Sequence, residues 1–210
     1  MSNLFFHLEL EYCEKSLRDY KYPISVEKAL RYVLDICNGL EYAHNKGIIH
    51  GDLKPGNILI KNDVPKISDW GIGWILPEEK EKASEYTSLL LTPAYVAPEQ
   101  LQLRKGAIDE RTDLYQLGLI FYKMVTGKLP SHNNNITDDF SLDLATIVYS
   151  PSVASVLKEK KRIKITPPSK INPRARILDP IIMKLLEYSK ENRYQSVTEL
   201  KKDLEKLIVY

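Results

Sequence analysis

Cysteine is scarce in this sequence, with only Cys13 and Cys37, and neither belongs to a CxxC pair. Two isolated thiols cannot build a disulfide framework, and they fit a reduced compartment. No apolar run approaches the roughly 18 residues that suggest a membrane span. The opening Met1-Ser2-Asn3-Leu4-Phe5-Phe6 lacks the basic start and apolar core of a signal peptide, so the expected location is cytoplasmic. Strong charge of one sign is also missing. A net charge of +2 gives no electrostatic reason to expect a nucleic-acid or membrane partner. The basic run from Lys158 to Lys164 reads as a solvated face. His7, His44 and His132 lack ligand-like spacing, which argues against a histidine metal centre.

What is present is an ordinary globular balance, 43% hydrophobic and 28% charged over 210 residues, enough for one domain with a sizeable core. Residues 4–13 alternate and run apolar, predicting a strand that enters a polar connection at Glu14-Lys15-Ser16. Val26, Ala29, Leu30, Val33, Leu34, Cys37 and Leu40 recur at helical spacing between an N-cap at Ser25 and a stop at Gly47. Ile58-Leu59-Ile60 and Lys66-Ile67-Ser68 flank the turn signal Asn62-Asp63, predicting a hairpin. Residues 76–91 read as a loop. Residues 113–125 are apolar nearly all round and stop at Gly127, as a buried central helix does. Residues 131–170 suggest loops around short helices. Asp179-Pro180 predicts a helix start with Asp as N-cap, and Ser196-Val197-Thr198-Glu199 predicts a capping box. The chain reads as mainly α with a small β-element.

The chemistry concentrates in His50-Gly51-Asp52-Leu53-Lys54-Pro55-Gly56-Asn57-Ile58-Leu59, followed by Asp69-Trp70-Gly71. Phosphoryl transfer needs a carboxylate to take the acceptor proton, oxygen ligands for Mg²⁺ and positive charge on the migrating phosphate. One loop carrying Asp52, Lys54 and Asn57, joined by Asp69 after a hairpin, can supply all three. A lone Asp-Gly would mean a turn; the whole spacing is a stronger signal.

These segments resemble the catalytic and metal-binding loops of eukaryotic-like (Hanks-type) serine/threonine protein kinases. The resemblance implies ATP and Mg²⁺ as cofactors, Asp52 as catalytic base and Lys54 on the γ-phosphate. It also implies Asn57 and Asp69 as metal ligands and Leu59 as the floor beneath adenine. Thr92-Pro93-Ala94-Tyr95-Val96-Ala97-Pro98-Glu99 resembles the end of an activation segment, with Thr92 helping to seat a Ser/Thr substrate. Thr112 to Gly118 resembles the buried central helix, its Asp113 holding the catalytic-loop backbone. Asn192-Arg193-Tyr194 resembles the late arginine motif of bacterial-type kinases, with Arg193 paired to Glu99. Leu10-Glu11-Tyr12-Cys13 resembles the hinge: Leu10 as gatekeeper, the backbones of Glu11 and Cys13 bonding adenine.

The resemblance also carries departures. No glycine-rich loop and no strand lysine in a Val-Ala-Ile-Lys-like context precede the hinge. The expectation is therefore a kinase C-lobe lacking its N-lobe, with residues 1–16 as the last N-lobe strand and hinge and 17–210 as the helical lobe. Such a chain would need a separate N-lobe or partner chain for efficient turnover of protein substrates. Gly51 stands where arginine ordinarily receives an activation-loop phosphate, so switching through Ser84, Tyr86, Thr87 or Ser88 is not expected. Trp70 replaces phenylalanine, and Leu91 a common glycine. Two alternatives stay open: a kinase-shaped binding module, and a small-molecule kinase of the aminoglycoside or choline phosphotransferase type. The Thr92 to Glu99 segment and Arg193 favour a protein substrate over the latter.

Overall fold

The computed structural model describes residues 9–70, 74–75, 90–91, 94–102, 107–130, 142–143 and 164–208. Helix α1, Val26–His44, starts where Ser25 Oγ accepts the Lys28 N–H at 3.2 Å. Such a cap is worth about 1 kcal/mol. Its buried stripe includes Val26, Ala29, Leu30, Val33, Cys37 and Leu40, which the apolar spacing marks, and also Ile36, which it does not.

Strand β1, Lys15–Ser16, and β2, Ile48–Ile49, flank this helix in the chain. The expected strand over residues 4–13 is not what the structure shows. Residues 4–8 lie outside the described residues, and 9–13 carry no strand. Pairing begins only in the presumed polar connection, because there the backbone meets β3, Ile58–Lys61: Glu14 N–H donates to Ile60 O at 3.1 Å, and Lys15 pairs with Ile60. Strand β3 turns into β4, Val64–Ile67, through Asn62 and Asp63 at φ of 50° and 62°. Two consecutive left-handed residues match the twist of a two-residue hairpin, and Asn and Asp tolerate that region better than most side chains. Ile58 and Ile60 face the core, whereas Leu59 and Lys61 point the other way. Strand β5, Trp74–Ile75, pairs with β2; β6, Leu90–Leu91, pairs with β7, Leu142–Asp143. The rest of the expected 76–91 loop lies outside the described residues, as does the Lys158 to Lys164 run except for Lys164, which is exposed.

Helix α2, Glu110–Thr126, begins three residues before the apolar periodicity does. Asp109 sets that start, its Oδ1 accepting the Arg111 N–H at 3.0 Å. Gly127, at φ 81°, ends the helix and donates to Lys123 O at 2.8 Å. Residues 112–122 are all buried, so α2 runs through the centre. Helix α3, Asp179–Leu185, and α4, Val197–Glu205, close the core with α1. Asp179 is the first helical residue rather than the cap. Its carboxylate instead ties down Ser169, whose N–H it accepts at 2.9 Å. Half of the expected capping box forms at α4: Ser196 Oγ accepts the Glu199 N–H at 3.1 Å, while Glu199 reaches Gln195 N–H at 2.8 Å. No helix among the described residues is long and apolar enough to cross a membrane.

Candidate active site

The loop between β2 and β3 carries the sequence-predicted side chains. Asp52 is buried, with 2% of its surface exposed. Lys54 Nζ lies 2.8 Å from Asp52 Oδ2, so the cation sits on the carboxylate rather than in solvent. A 3-10 turn, Pro55–Asn57, then folds the chain back, and Asn57 Nδ2 donates to Asp52 O at 3.0 Å. The turn forms because proline at its first position supplies the required φ and needs no donor.

Helix α2 holds this loop from beneath. Asp113, fully buried, accepts the His50 N–H through Oδ2 at 2.9 Å and the Gly51 N–H through Oδ1 at 2.8 Å. Hydrogen bonds to a charged acceptor are worth about 1.5–3 kcal/mol each. Gly51 adopts φ 74°, the left-handed region that favours glycine and charges other residues about 1–2 kcal/mol. The His50 ring donates through Nε2 to Ser68 O at 2.9 Å and accepts the Asp52 N–H at Nδ1. It also packs edge-on to Trp70, with ring centroids 4.9 Å apart.

Asp69 arrives beside Asn57 because Ser68 binds the Asn57 carbonyl, by N–H at 2.9 Å and by Oγ at 3.2 Å. Asp69 has φ 62° and an exposed side chain. A non-glycine residue held there stores strain of the kind found at functional sites. With Nδ2 used on Asp52 O, Asn57 keeps its amide oxygen for a ligand. One amide oxygen and one exposed carboxylate form a hard oxygen donor set suited to Mg²⁺. Groups of three or more His, Cys, Asp or Glu able to cage a metal do not occur among the described residues, so phosphate and water would complete the coordination.

Leu59 is half-buried on the outward face of β3. Opposite it in register is Lys66, and Lys66 and Lys61 both pair with Glu11, at 3.2 and 2.9 Å. The two lysines draw the Glu11 carboxyl below its ordinary value, Lys61 most. The segment carrying Glu11 and Cys13 is thereby tied next to the hairpin face that bears Leu59. Leu10 and Tyr12 are 80% and 79% exposed. Thr92 lies outside the described residues.

Three site members carry no motif signal of their own. Gln116 Oε1 accepts the Leu53 N–H at 2.9 Å, Gln100 Nε2 donates to Gly51 O at 2.7 Å, and His44 Nε2 bonds Asp113 Oδ2 at 2.8 Å. For Gln116 a clue existed: it is three residues beyond Asp113, on the same helix face.

The protein kinase domain family matches residues 2–204 of this chain. Serine/threonine-protein kinase PknB of Mycolicibacterium smegmatis is 30% identical over 207 residues, covering 94% of this chain and 30% of that protein. A probable serine/threonine-protein kinase of Clostridium perfringens is 34% identical over 208 residues, covering 96% of this chain and 27% of that protein. The chain thus spans about three-tenths of the length of these curated relatives. Among solved structures, the Cydia pomonella granulovirus kinase PK-1 superposes with a TM-score of 0.70 over 92% of this chain and 66% of that one. At 15% identity this is a likeness of fold alone.

Proposed function

The chain belongs to the protein kinase domain family, and from that premise we propose that it transfers the γ-phosphate of ATP to Ser or Thr hydroxyls of protein substrates. The observation that supports this reading is the Lys54–Asp52 contact at 2.8 Å in a loop whose Asn57 bonds Asp52 O by its side chain and Ser68, the residue before Asp69, by its carbonyl. Asp52 orients the acceptor hydroxyl and takes its proton as the new oxygen–phosphorus bond forms and the bond to the β-phosphate oxygen breaks. Lys54, already on the Asp52 carboxylate, can offer its ammonium to the γ-phosphate oxygens. Asn57 and Asp69 would hold Mg²⁺, which would neutralise charge between the phosphates. Leu59 would form the floor beneath adenine, and the main chain of Glu11 and Cys13 would bond its edge. Thr92, by the resemblance of its segment, would help seat the acceptor residue.

Full turnover requires a second, glycine-rich lobe over the phosphates. The exposed Leu10 and Tyr12 offer an apolar seat for such a lobe. The test incubates Mg-ATP with Ser-, Thr- and Tyr-containing peptides and with the chain, alone or supplied with the N-lobe of the M. smegmatis relative. Phosphopeptides are then mapped by mass spectrometry. Phosphate on Ser or Thr, greatest with the added lobe, is the expected result. Phosphate on Tyr only, on an added aminoglycoside or choline, or nowhere in either arm overturns the reading.

A further inference from the structure

Two buried glutamines hold the peptide groups on either side of Asp52. Gln100 and Gln116 are each 1% exposed. Gln116 Oε1 accepts the Leu53 N–H at 2.9 Å, and Gln116 Nε2 donates to Gly51 O at 3.1 Å and to Gln100 Oε1 at 3.1 Å. Gln100 Nε2 donates to Gly51 O at 2.7 Å, and its Oε1 accepts the Ala97 N–H at 2.8 Å. Both amides therefore use their oxygen and their nitrogen, as buried amides must to offset desolvation.

The targets of these bonds matter more than their number. Gly51 O belongs to the peptide plane before Asp52, and Leu53 N to the plane after it. Asp52 φ and ψ are the two rotations between those planes. A single side chain, Gln116, grips both, and Gln100 doubles the grip on the first. From its own side the loop adds the Asp52 N–H to His50 Nδ1 bond at 3.2 Å and the Asn57 Nδ2 to Asp52 O bond at 3.0 Å. Gly51 is the residue least able to hold its own φ and ψ, so an external clamp has most to do there. Gln100 extends the clamp to Ala97, on the segment that leads into Glu99.

We infer that Gln100 and Gln116 are positioning residues. They fix the backbone angles of Asp52 and so aim its carboxylate, and they couple that aim to the segment 94–100. This rests on Asp52 being the base of the proposed phosphoryl transfer.

The test uses the full chain with the added lobe, comparing the parent protein with Gln116→Met, which keeps the length of the side chain and removes both polar ends. Gln100→Met is the second variant. The expected result is a kcat lower by about 10- to 100-fold with KM for ATP unchanged, since a displacement near 1 Å can cost that much. Amide exchange at Leu53 should speed up in Gln116→Met and at Ala97 in Gln100→Met, with circular dichroism unchanged. The parent protein supplies a measure free of any substitution: a through-bond NMR coupling between Leu53 N and Gln116 Cδ. Absence of that coupling overturns the clamp. Faster exchange at Leu53 with unchanged kcat overturns its catalytic purpose. A parent protein that transfers no phosphate overturns the kinase reading and that purpose with it, while the coupling still decides whether the clamp exists.

Discussion

Arg193 and Glu99, 94 positions apart in the chain, meet as a buried two-point ion pair, Nη1 to Oε1 at 2.7 Å and Nη2 to Oε2 at 2.9 Å. Arg193 spends its remaining donors on the carbonyls of Glu187, Tyr188 and Arg111, and Thr112 Oγ1 completes the Glu99 shell at 2.9 Å. The pair joins the segment that ends at Glu99 to the C-terminal helices. Removing either member strands a charge in the interior. Glu99→Ala and Arg193→Ala should each cost about 3–5 kcal/mol in urea unfolding. Arg193→Lys should restore little, because one ammonium cannot replace a planar fork making five bonds.

Asp52→Asn tests the base directly. The amide keeps the shape of the side chain and loses the charge that receives the proton. Turnover should fall by about 10²- to 10⁴-fold with nucleotide affinity nearly unchanged. An equal loss of kcat and of ATP affinity would assign Asp52 to binding instead.

Gly51 is held without any charge of its own: Asp113 takes its N–H and two glutamines take its carbonyl. Phosphatase treatment should therefore leave turnover unchanged, measured as initial rate before and after treatment. A large rate increase on phosphorylation of Ser84, Tyr86, Thr87 or Ser88 would show an anion anchor elsewhere.

The parts of this molecule that were legible in the sequence are those set by local chemistry. Ser25 starts α1, Asn62 and Asp63 make the hairpin turn, and Gly127 stops α2, because each rests on residues close together in the chain. The misplaced parts depend on distant partners. Residues 9–13 look like a strand, yet a ladder needs a neighbour, and β3 meets the chain only from Glu14 onward. Asp179 resembles a cap until Ser169, ten residues earlier, claims its carboxylate. Gln100 and His44 have no local signature, since Gln100 holds the Gly51 carbonyl and His44 the Asp113 carboxylate, both far along the chain.

Gly118 on α2 packs against the end of α3. A Cβ built there would stand 2.7 Å from Leu185 Cβ and 3.1 Å from Leu186 Cδ2. Alanine would gain about 1 kcal/mol of helix propensity. The contact at 2.7 Å involves a β-carbon that no rotamer change can move, so the helices themselves must part, at about 1–3 kcal/mol. Overpacking outweighs propensity, and Gly118→Ala should lower the melting temperature by about 2–8 °C. A raised melting temperature would mean that α3 yields freely.

Asp109 links stability to pH. Burial of this half-buried carboxylate pushes its pKa up, but hydrogen bonds from Arg111 and Lys190 and from the Arg111 backbone prevail, and it ends below its ordinary 3.8. Lys190 Nζ is 2.7 Å away, and Arg111 Nη2 is also at 2.7 Å. A depressed carboxyl binds its proton more weakly when folded than when unfolded. Its stabilisation is therefore complete above the unfolded value and is lost as pH falls through the folded one. Asp109→Asn keeps a good N-cap for α2 and removes the charge. The variant should be less stable than the parent at about pH 6, and the gap between their urea midpoints should close as pH falls past the ordinary carboxyl value and through the depressed folded one. A gap independent of pH would mean that the charge of Asp109 does not carry its stabilisation.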